Sequence, residues 1–273
     1  MKVVILAAGQ GKRLLPMTVD KPKSLLVVGG QTMIGWQVQE LVKSGVDEIL
    51  VVTGFQADAA EGEIEHLRNS HPGCRFRSYF NAEFETADNL VSCWSVRSEM
   101  DQDFVLINGD TLFEAGVFRR LVQGAPASVT VTIDHKDRYD EDDMKVRLDG
   151  SRLVEIGKTI PMDTVDGESI GMLLFRGDGP QLFADALDHA KRNPQPHHRW
   201  YLSVIDDLAK TGVVETRGIK GLEWCEVDYP LDLKWARQMV SSWAVGADSD
   251  SDSGSSAVAP QNFPNQFQVG RFV

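Results

Sequence analysis

The chain has few cysteines and no long apolar run, and both shortages limit its function. Its 273 residues include three cysteines, Cys74, Cys93 and Cys225, which are far apart and form no Cys-x-x-Cys pair. Such thiols predict neither a disulfide framework nor a thiolate metal site, so we expect reduced thiols and a cytoplasmic protein. The apolar run near the N-terminus is shorter than the ~7–15 residues of a signal-peptide core. No stretch approaches the ~20 apolar residues of a membrane span, so we expect no membrane partner.

The chain as a whole also has fewer basic than acidic residues. The chain has 28 Lys and Arg against 40 Asp and Glu, a net charge of −12, which argues against a general nucleic-acid binder. The first 23 residues reverse this balance, because their acid Asp20 is outnumbered by five cations: Lys2, Lys12, Arg13, Lys21 and Lys23. A basic patch in an acidic protein predicts a small polyanionic ligand.

A glycine turn stands at the centre of this basic patch. The apolar run from Val3 to Leu6 predicts a buried strand, and it breaks at Gly9-Gln10-Gly11, where the lack of Cβ atoms allows close backbone approach to a ligand. Free N–H groups followed by cations suit a triphosphate. The Walker loop is excluded because it needs four residues between its glycines, whereas one residue separates Gly9 from Gly11. The dinucleotide-binding loop is excluded because Leu14 stands where it requires a third glycine.

The stretch Leu6-Ala-Ala-Gly9-x-Gly11-x-Arg13 followed by Lys21-Pro-Lys23 resembles the signature of nucleotidyltransferases with the glycosyltransferase-A-like fold. The resemblance implies that Arg13 and Lys23 are catalytic, with Arg13 on the β/γ-phosphates and Lys23 on the α-phosphate. It implies Mg²⁺ as cofactor, held by Asp110 of Asn108-Gly-Asp110 and by Asp228 of Glu226-Val-Asp228. The nucleotide-binding residues that it implies are Leu6, Ala8, Gly9, Gly11, Lys12, Asp88 and Asn89.

The segment Asp88-Asn-Leu-Val-Ser92 is most similar to bacterial choline-phosphate and phosphonate cytidylyltransferases, whose pattern begins with Asn where Asp88 stands here. That resemblance implies an acceptor pocket built from Lys158, Glu168, Trp200 and Tyr201. Aromatic side chains there could surround a quaternary ammonium by cation–π attraction. Asp88 could also be a helix N-cap, and Asp228 could be one ahead of Pro230.

Hydrophobic periodicity predicts strands and helices in alternation up to about residue 110, then short strands with turns between them. This order predicts an α/β fold in which a mostly parallel central sheet lies in a three-layer α/β/α sandwich, with a small antiparallel layer that binds the acceptor. We expect one nucleotidyltransferase domain over residues 1–245. Residues 246–273 are rich in Ser and Asp and are expected to form a disordered low-complexity tail.

Three functions remain open on the sequence. The leading expectation is a cytidylyltransferase that uses CTP and a small phosphate or phosphonate acceptor. The second is a sugar-1-phosphate nucleotidyltransferase that uses UTP, dTTP or GTP, and the third is a catalytically silent regulatory subunit that binds nucleotide. A homo-oligomer is compatible with each of them.

Overall fold

The computed structural model describes residues 1–124, 127–192 and 199–247. The strands in these ranges are β1 (Lys2–Leu6), β2 (Val27–Val28), β3 (Gln31–Thr32), β4 (Glu48–Thr53), β5 (Arg75–Phe80), β6 (Phe104–Asn108), β7 (Thr111–Phe113), β8 (Val129–Asp134), β9 (Lys145–Asp149), β10 (Arg152–Gly157), β11 (Gly167–Phe175), β12 (Val214–Gly218) and β13 (Trp224–Glu226). The α-helices are α1 (Met33–Lys43), α2 (Ala57–Ser70), α3 (Asn89–Ser95), α4 (Ala115–Val122), α5 (Gly179–Lys191), α6 (Leu202–Ala209) and α7 (Pro230–Ala247). Among the described residues, no helix is long and apolar enough to cross a bilayer.

A mixed sheet of nine described strands forms the centre of the molecule, in the order β5-β4-β1-β6-β11-β8-β12-β10-β9. The pairings among β5, β4, β1 and β6 are all parallel. Strand β11 then runs antiparallel to β6 and β8, and it also pairs with β9. The expected α/β class is confirmed, and the antiparallel strands extend the central sheet itself.

Helices cover both faces of this sheet because side chains alternate along each strand. In β1, Val3 and Ile5 pack with apolar side chains of α1, α2 and α4. Val4 between them packs on the opposite side with α3, α5 and α6. The result is the three-layer arrangement predicted from the sequence.

Helix α7 closes a smaller apolar cluster beside the start of the chain. Trp243 meets Trp36 of α1 edge to face at 6.0 Å between ring centroids, and its Nε1–H donates to Glu223 at 2.7 Å. The predicted domain boundary after residue 245 therefore falls within α7, which continues to Ala247. The rest of the predicted tail, residues 248–273, lies outside the described residues.

Candidate active site

The glycine turn follows β1 at the carboxyl edge of the sheet. Gly11 has a φ of +73°, a left-handed conformation that favours glycine. A Cβ on Gly11 would also lie 2.9 Å from the Cβ of Lys23, so the turn packs directly on the stem of that lysine. Gly11 thereby fixes where Lys23 can lie.

The register of β1 against β6 brings a second turn to the same place. Leu6 is opposite Asn108 in a parallel pairing, so the residues after each strand share one edge. The Gly109 N–H donates to the Leu6 carbonyl at 2.9 Å, and a Cβ on Gly109 would lie 2.5 Å from that oxygen. These backbone contacts place Asp110 beside the glycine turn.

Lys23 lies between the two carboxylates that the sequence analysis selected as metal ligands. Its Nζ donates to Asp110 Oδ2 at 2.8 Å and to Asp228 Oδ1 at 2.6 Å. Burial by itself would lower the pKa of Lys23, but attraction by Asp110 and Asp228 outweighs it and raises that pKa above its ordinary value. Lys23 therefore carries its positive charge at neutral pH.

The acidic cluster around Lys23 has the chemistry of a magnesium site. One carboxylate oxygen from each of Asp110, Glu226 and Asp228 lies within 4.8 Å of the other two. Asp110 Oδ1 is buried and, among the described residues, has no hydrogen-bond partner. Mg²⁺ prefers one or two carboxylates together with phosphate oxygens and water, so this donor set fits the ion.

Glu226 was not among the residues singled out from the sequence. It stands two positions before Asp228, and residues two apart on extended chain lie on the same side. The spacing of two residues from Asp228 is the feature of the sequence that could have identified Glu226. At the start of α7, the N–H groups of Asp228 and Tyr229 both donate to Asp232 Oδ2.

Arg13 lies at the mouth of the site with its side chain half exposed. Its guanidinium pairs with Asp228 at 3.2 Å and with Asp142 at 3.6 Å. It also lies 5.2 Å from the centroid of the Tyr229 ring. Arg13 thus touches both the acidic cluster and the loop before β9, and it remains accessible to a phosphate.

A cavity of about 880 Å³ joins these groups to the antiparallel part of the sheet. The residues selected from the sequence that line it are Leu6, Ala8, Gly9, Gly11, Lys12, Arg13, Asp88, Asn89, Asp110, Lys158, Glu168, Trp200 and Asp228. Lys23 lies behind Gly11 and reaches the site through its ion pairs with the two carboxylates. Most of the predicted site residues therefore meet in one space.

Lys158 and Trp200 form the far end of this cavity. Lys158 Nζ lies 4.6 Å from the centroid of the Trp200 ring and 3.3 Å from Asp142 Oδ1. Trp200 is 42% exposed, which is unusual for so large an apolar side chain. Asp142 was not selected from the sequence, because it is one of several acids between residues 140 and 143.

Tyr201 does not line the acceptor pocket, which corrects the expectation from the sequence. Its side chain is fully buried and packs edge to face on Phe183. Burial raises the pKa of its hydroxyl, which donates to Asn108 Oδ1 at 3.1 Å. Tyr201 directly precedes α6 and lies on its core side, whereas its neighbour Trp200 faces the cavity.

The other polar residues that the sequence analysis selected, Glu168, Asn89 and Asp88, make different hydrogen bonds and ion pairs. Glu168 is 3% exposed and its carboxylate pairs with Lys136 at 2.6 Å. Asn89 Oδ1 accepts from the Tyr201 N–H at 3.0 Å. Asp88 precedes α3 but makes no side-chain cap hydrogen bond, so its position at the cavity wall is not explained by capping.

Comparison with known proteins agrees with this geometry. The sequence pattern of the nucleotidyl transferase family matches residues 2–143, which hold the glycine turn, Lys23 and Asp110. This chain belongs to the nucleotidyl transferase family.

Two curated relatives illustrate the range of acceptors among similar proteins. The chain is 32% identical over 242 residues to CMP-5'-(3-aminopropyl)phosphonate synthase from Streptomyces rubellomurinus, covering 86% of this chain and 38% of that protein. It is 26% identical over 250 residues to UTP–glucose-1-phosphate uridylyltransferase from Haloferax volcanii, covering 87% of this chain and 96% of that protein. Against other curated relatives, the chain spans about half of their length, 52%.

A solved structure supports the fold. CTP:phosphocholine cytidylyltransferase from Streptococcus pneumoniae superposes with a TM-score of 0.69 at 19% sequence identity, covering 88% of this chain and 98% of that chain. At this identity the likeness shows the shared fold.

Proposed function

We propose that this nucleotidyl transferase is a cytidylyltransferase that joins CMP to a small phosphate or phosphonate with a cationic end. The observation that carries the proposal is one cavity with two chemically different ends. Lys23 and the acidic cluster lie at one end, and Lys158, Trp200 and Asp142 lie at the other. The relative whose name includes a CMP-phosphonate supports cytosine as the base.

In the proposed reaction, an oxygen of the acceptor phosphate attacks the α-phosphorus of CTP. The new P–O bond forms as the bond to the β-phosphate oxygen breaks, and pyrophosphate leaves with that electron pair. The acceptor needs no general base, because a phosphate ester with a second pKa of ~6 is largely ionised at neutral pH. Positioning and charge neutralisation are then the main tasks of the protein.

The residues divide these tasks between them. Backbone N–H groups of the Gly9–Gly11 turn and the Arg13 guanidinium would hold the triphosphate, and the ammonium of Lys23 would offset charge that develops at the α-phosphate. Asp110 and Asp228, with Glu226, would hold Mg²⁺, which would neutralise phosphate oxygens when bound. Lys158 would bind the acceptor phosphate, and Trp200 with Asp88 would favour a cationic head group.

The rival activity is a sugar-1-phosphate nucleotidyltransferase, and the Haloferax relative is the specific observation in its favour because the match covers 96% of that protein. A hexose would require several hydrogen-bonding partners for its hydroxyl groups. The far end of the cavity offers an aromatic face, a lysine and the carboxylate of Asp142, a set that suits a charged acceptor. A silent regulatory subunit would tolerate loss of Lys23, Asp110 or Asp228, and this chain has all three.

Pyrophosphate release with four nucleotides and a panel of acceptors tests the proposal. With CTP, kcat/KM for phosphocholine or an aminoalkylphosphonate should exceed that for glucose 1-phosphate by about 10²-fold, because buried polar groups left without partners discriminate strongly. Asp88→Asn should reduce this ratio of kcat/KM values, since it removes a carboxylate from the cavity wall. The matched control is Glu85→Gln, which removes another carboxylate that lines the same cavity. Better turnover of glucose 1-phosphate with UTP would assign the chain to the rival activity.

A further inference from the structure

Gln37, which lies on α1 and outside the cavity, makes an unusual pair of contacts with the turn that carries Asp110. Its side-chain Nε2 donates to the Asn108 carbonyl at 2.8 Å and to the Thr111 carbonyl at 2.8 Å. The two acceptors flank the Gly109-Asp110 pair on either side. Gln37 is 1% exposed, so both hydrogen bonds are shielded from water.

The orientation of this amide is fixed by its surroundings. Gln37 Oε1 is buried and has no hydrogen-bond partner in the described part of the chain. The reversed amide would place that oxygen against two carbonyl oxygens, which would repel it. A buried amide with one unsatisfied atom destabilises the folded state. The two hydrogen bonds that Gln37 donates are therefore the reason we find for a glutamine at this position.

The same helix face makes a further contact just beyond the turn. Glu40 is three residues after Gln37 and therefore on the same side of α1. Its Oε2 accepts from the Ala115 N–H, the first residue of α4, at 2.9 Å. On the opposite face of the sheet, the buried Tyr201 hydroxyl donates to Asn108 Oδ1 at 3.1 Å. The segment that carries Asp110 is thus held from both helical layers, and Gln37 alone of these side chains bonds to the backbone on both sides of Asp110.

We propose that Gln37 is a positioning residue for the Asp110 carboxylate, acting through the backbone of the Asn108–Thr111 turn. The Asp110 carboxylate accepts from Lys23 through Oδ2 alone, and its Oδ1 has no hydrogen-bond partner among the described residues, so the backbone of the turn contributes to where the carboxylate lies. This inference rests on the proposed function for the role of Asp110 as a metal ligand. The physical claim about the turn can be tested without turnover.

The test compares Gln37→Met with Gln39→Met in the full-length protein. Met has the length of Gln but cannot donate a hydrogen bond, and Gln39 is a partly exposed residue of the same helix whose amide donates to Glu40 Oε1 at a long 3.4 Å and not to the turn. Mn²⁺ binding followed by electron paramagnetic resonance, and Mg²⁺-dependent turnover, should each weaken by about 10- to 100-fold in Gln37→Met, the range seen when a residue that orients a metal ligand is lost. Gln39→Met should match the wild type in both.

Hydrogen exchange without metal separates failure of this inference from failure of the proposed function. In Gln37→Met, the amides of residues 108–111 should exchange faster while the rest of the sheet keeps its protection, because opening is local. Faster exchange confined to the turn would support the inference even if the wild type neither bound Mn²⁺ nor turned over CTP. Unchanged exchange at the turn would overturn it, and so would faster exchange throughout the chain, which would indicate a general role in stability.

Discussion

The two ends of the cavity are built by different means. At the nucleotide end, adjacent parallel strands bring the Gly9–Gly11 turn and Asp110 together through backbone register, and Lys23 is almost fully enclosed by its carboxylate partners. At the acceptor end, Lys158 and Asp142 come from separate loops and turns, and Asp142 is 37% exposed in its side chain. Lys23 is the best shielded of these charges, with 11% of its side chain exposed, whereas Asp142 at the second end is the more accessible partner of its ion pair.

The difference in exposure determines how strongly the ion pairs at each end of the cavity interact. An ion pair that is shielded from water acts strongly, and removal of one partner leaves the other without compensation. An exposed pair is weakened by solvent and salt and contributes little. Arg13 connects the two ends because it contacts both Asp228 and Asp142, so these two aspartates form a natural pair of variants.

The largest effect is expected at the nucleotide end. Asp110→Asn and Asp228→Asn should each lower turnover by 10²-fold or more, roughly 3 kcal/mol of transition-state stabilisation, because each removes a charge that would hold Mg²⁺. Steady-state kinetics across a Mg²⁺ titration would measure this, with circular dichroism to verify that each variant folds. Near-normal turnover in both variants would exclude the proposed metal site.

A smaller effect is expected at the acceptor end. Partial burial raises the pKa of Asp142, but attraction by Lys158 and Arg13 is stronger and lowers that pKa below its ordinary value. A carboxyl group with a depressed pKa in the folded state stabilises that state above its unfolded pKa and loses this contribution as pH falls. Asp142→Asn should therefore lower the free energy of unfolding at pH 7 by less than about 1 kcal/mol.

Urea unfolding at two pH values checks the sign of that effect. The difference between wild type and Asp142→Asn should persist from pH 7 to about pH 5 and shrink as the pH falls below the ordinary Asp pKa of about 3.9, because the folded-state carboxyl is protonated only below its depressed pKa. High salt should reduce it as well, because the ion pairs are accessible to solvent. A difference that grows as the pH falls would contradict the ion-pair explanation.

The smallest effect is expected outside both ends. Truncation after Ala247 should leave turnover and the midpoint of thermal unfolding unchanged, since the segment that it removes begins with residues 248–256, a run of Asp, Ser and Gly with no apolar side chain to bury. Truncation after Met239 is the control, because it removes Val240 and Trp243, which belong to an apolar cluster. Loss of turnover in the first truncation would mean that the tail contributes to the active protein.

The same contrast explains how far the sequence could predict the site. Gly9 and Gly11 stand in a strand–turn pattern that could be predicted locally, whereas Lys23 and Asp110 were implied by the family resemblance, and the structure brings all four together. Glu226 and Asp142 could not be chosen with confidence from the sequence, because their roles depend on contacts between distant segments. Tyr201 shows the opposite failure: adjacent aromatics at the start of a helix point in different directions, and only the helix packing determines which of the two reaches the cavity.

The order of the site along the chain has a consequence for synthesis. Lys23 and Asp228, whose side chains are in contact, are separated by 205 positions in the sequence. While the chain is being made, Lys23 and Asp110 emerge long before Asp228 and before helix α7, which follows Asp228 in the sequence. Any N-terminal fragment that ends with the family match at residue 143 contains the glycine turn and Asp110. It cannot complete the acidic cluster, because Glu226 and Asp228 lie beyond that residue, so the cluster requires chain from both ends of the domain.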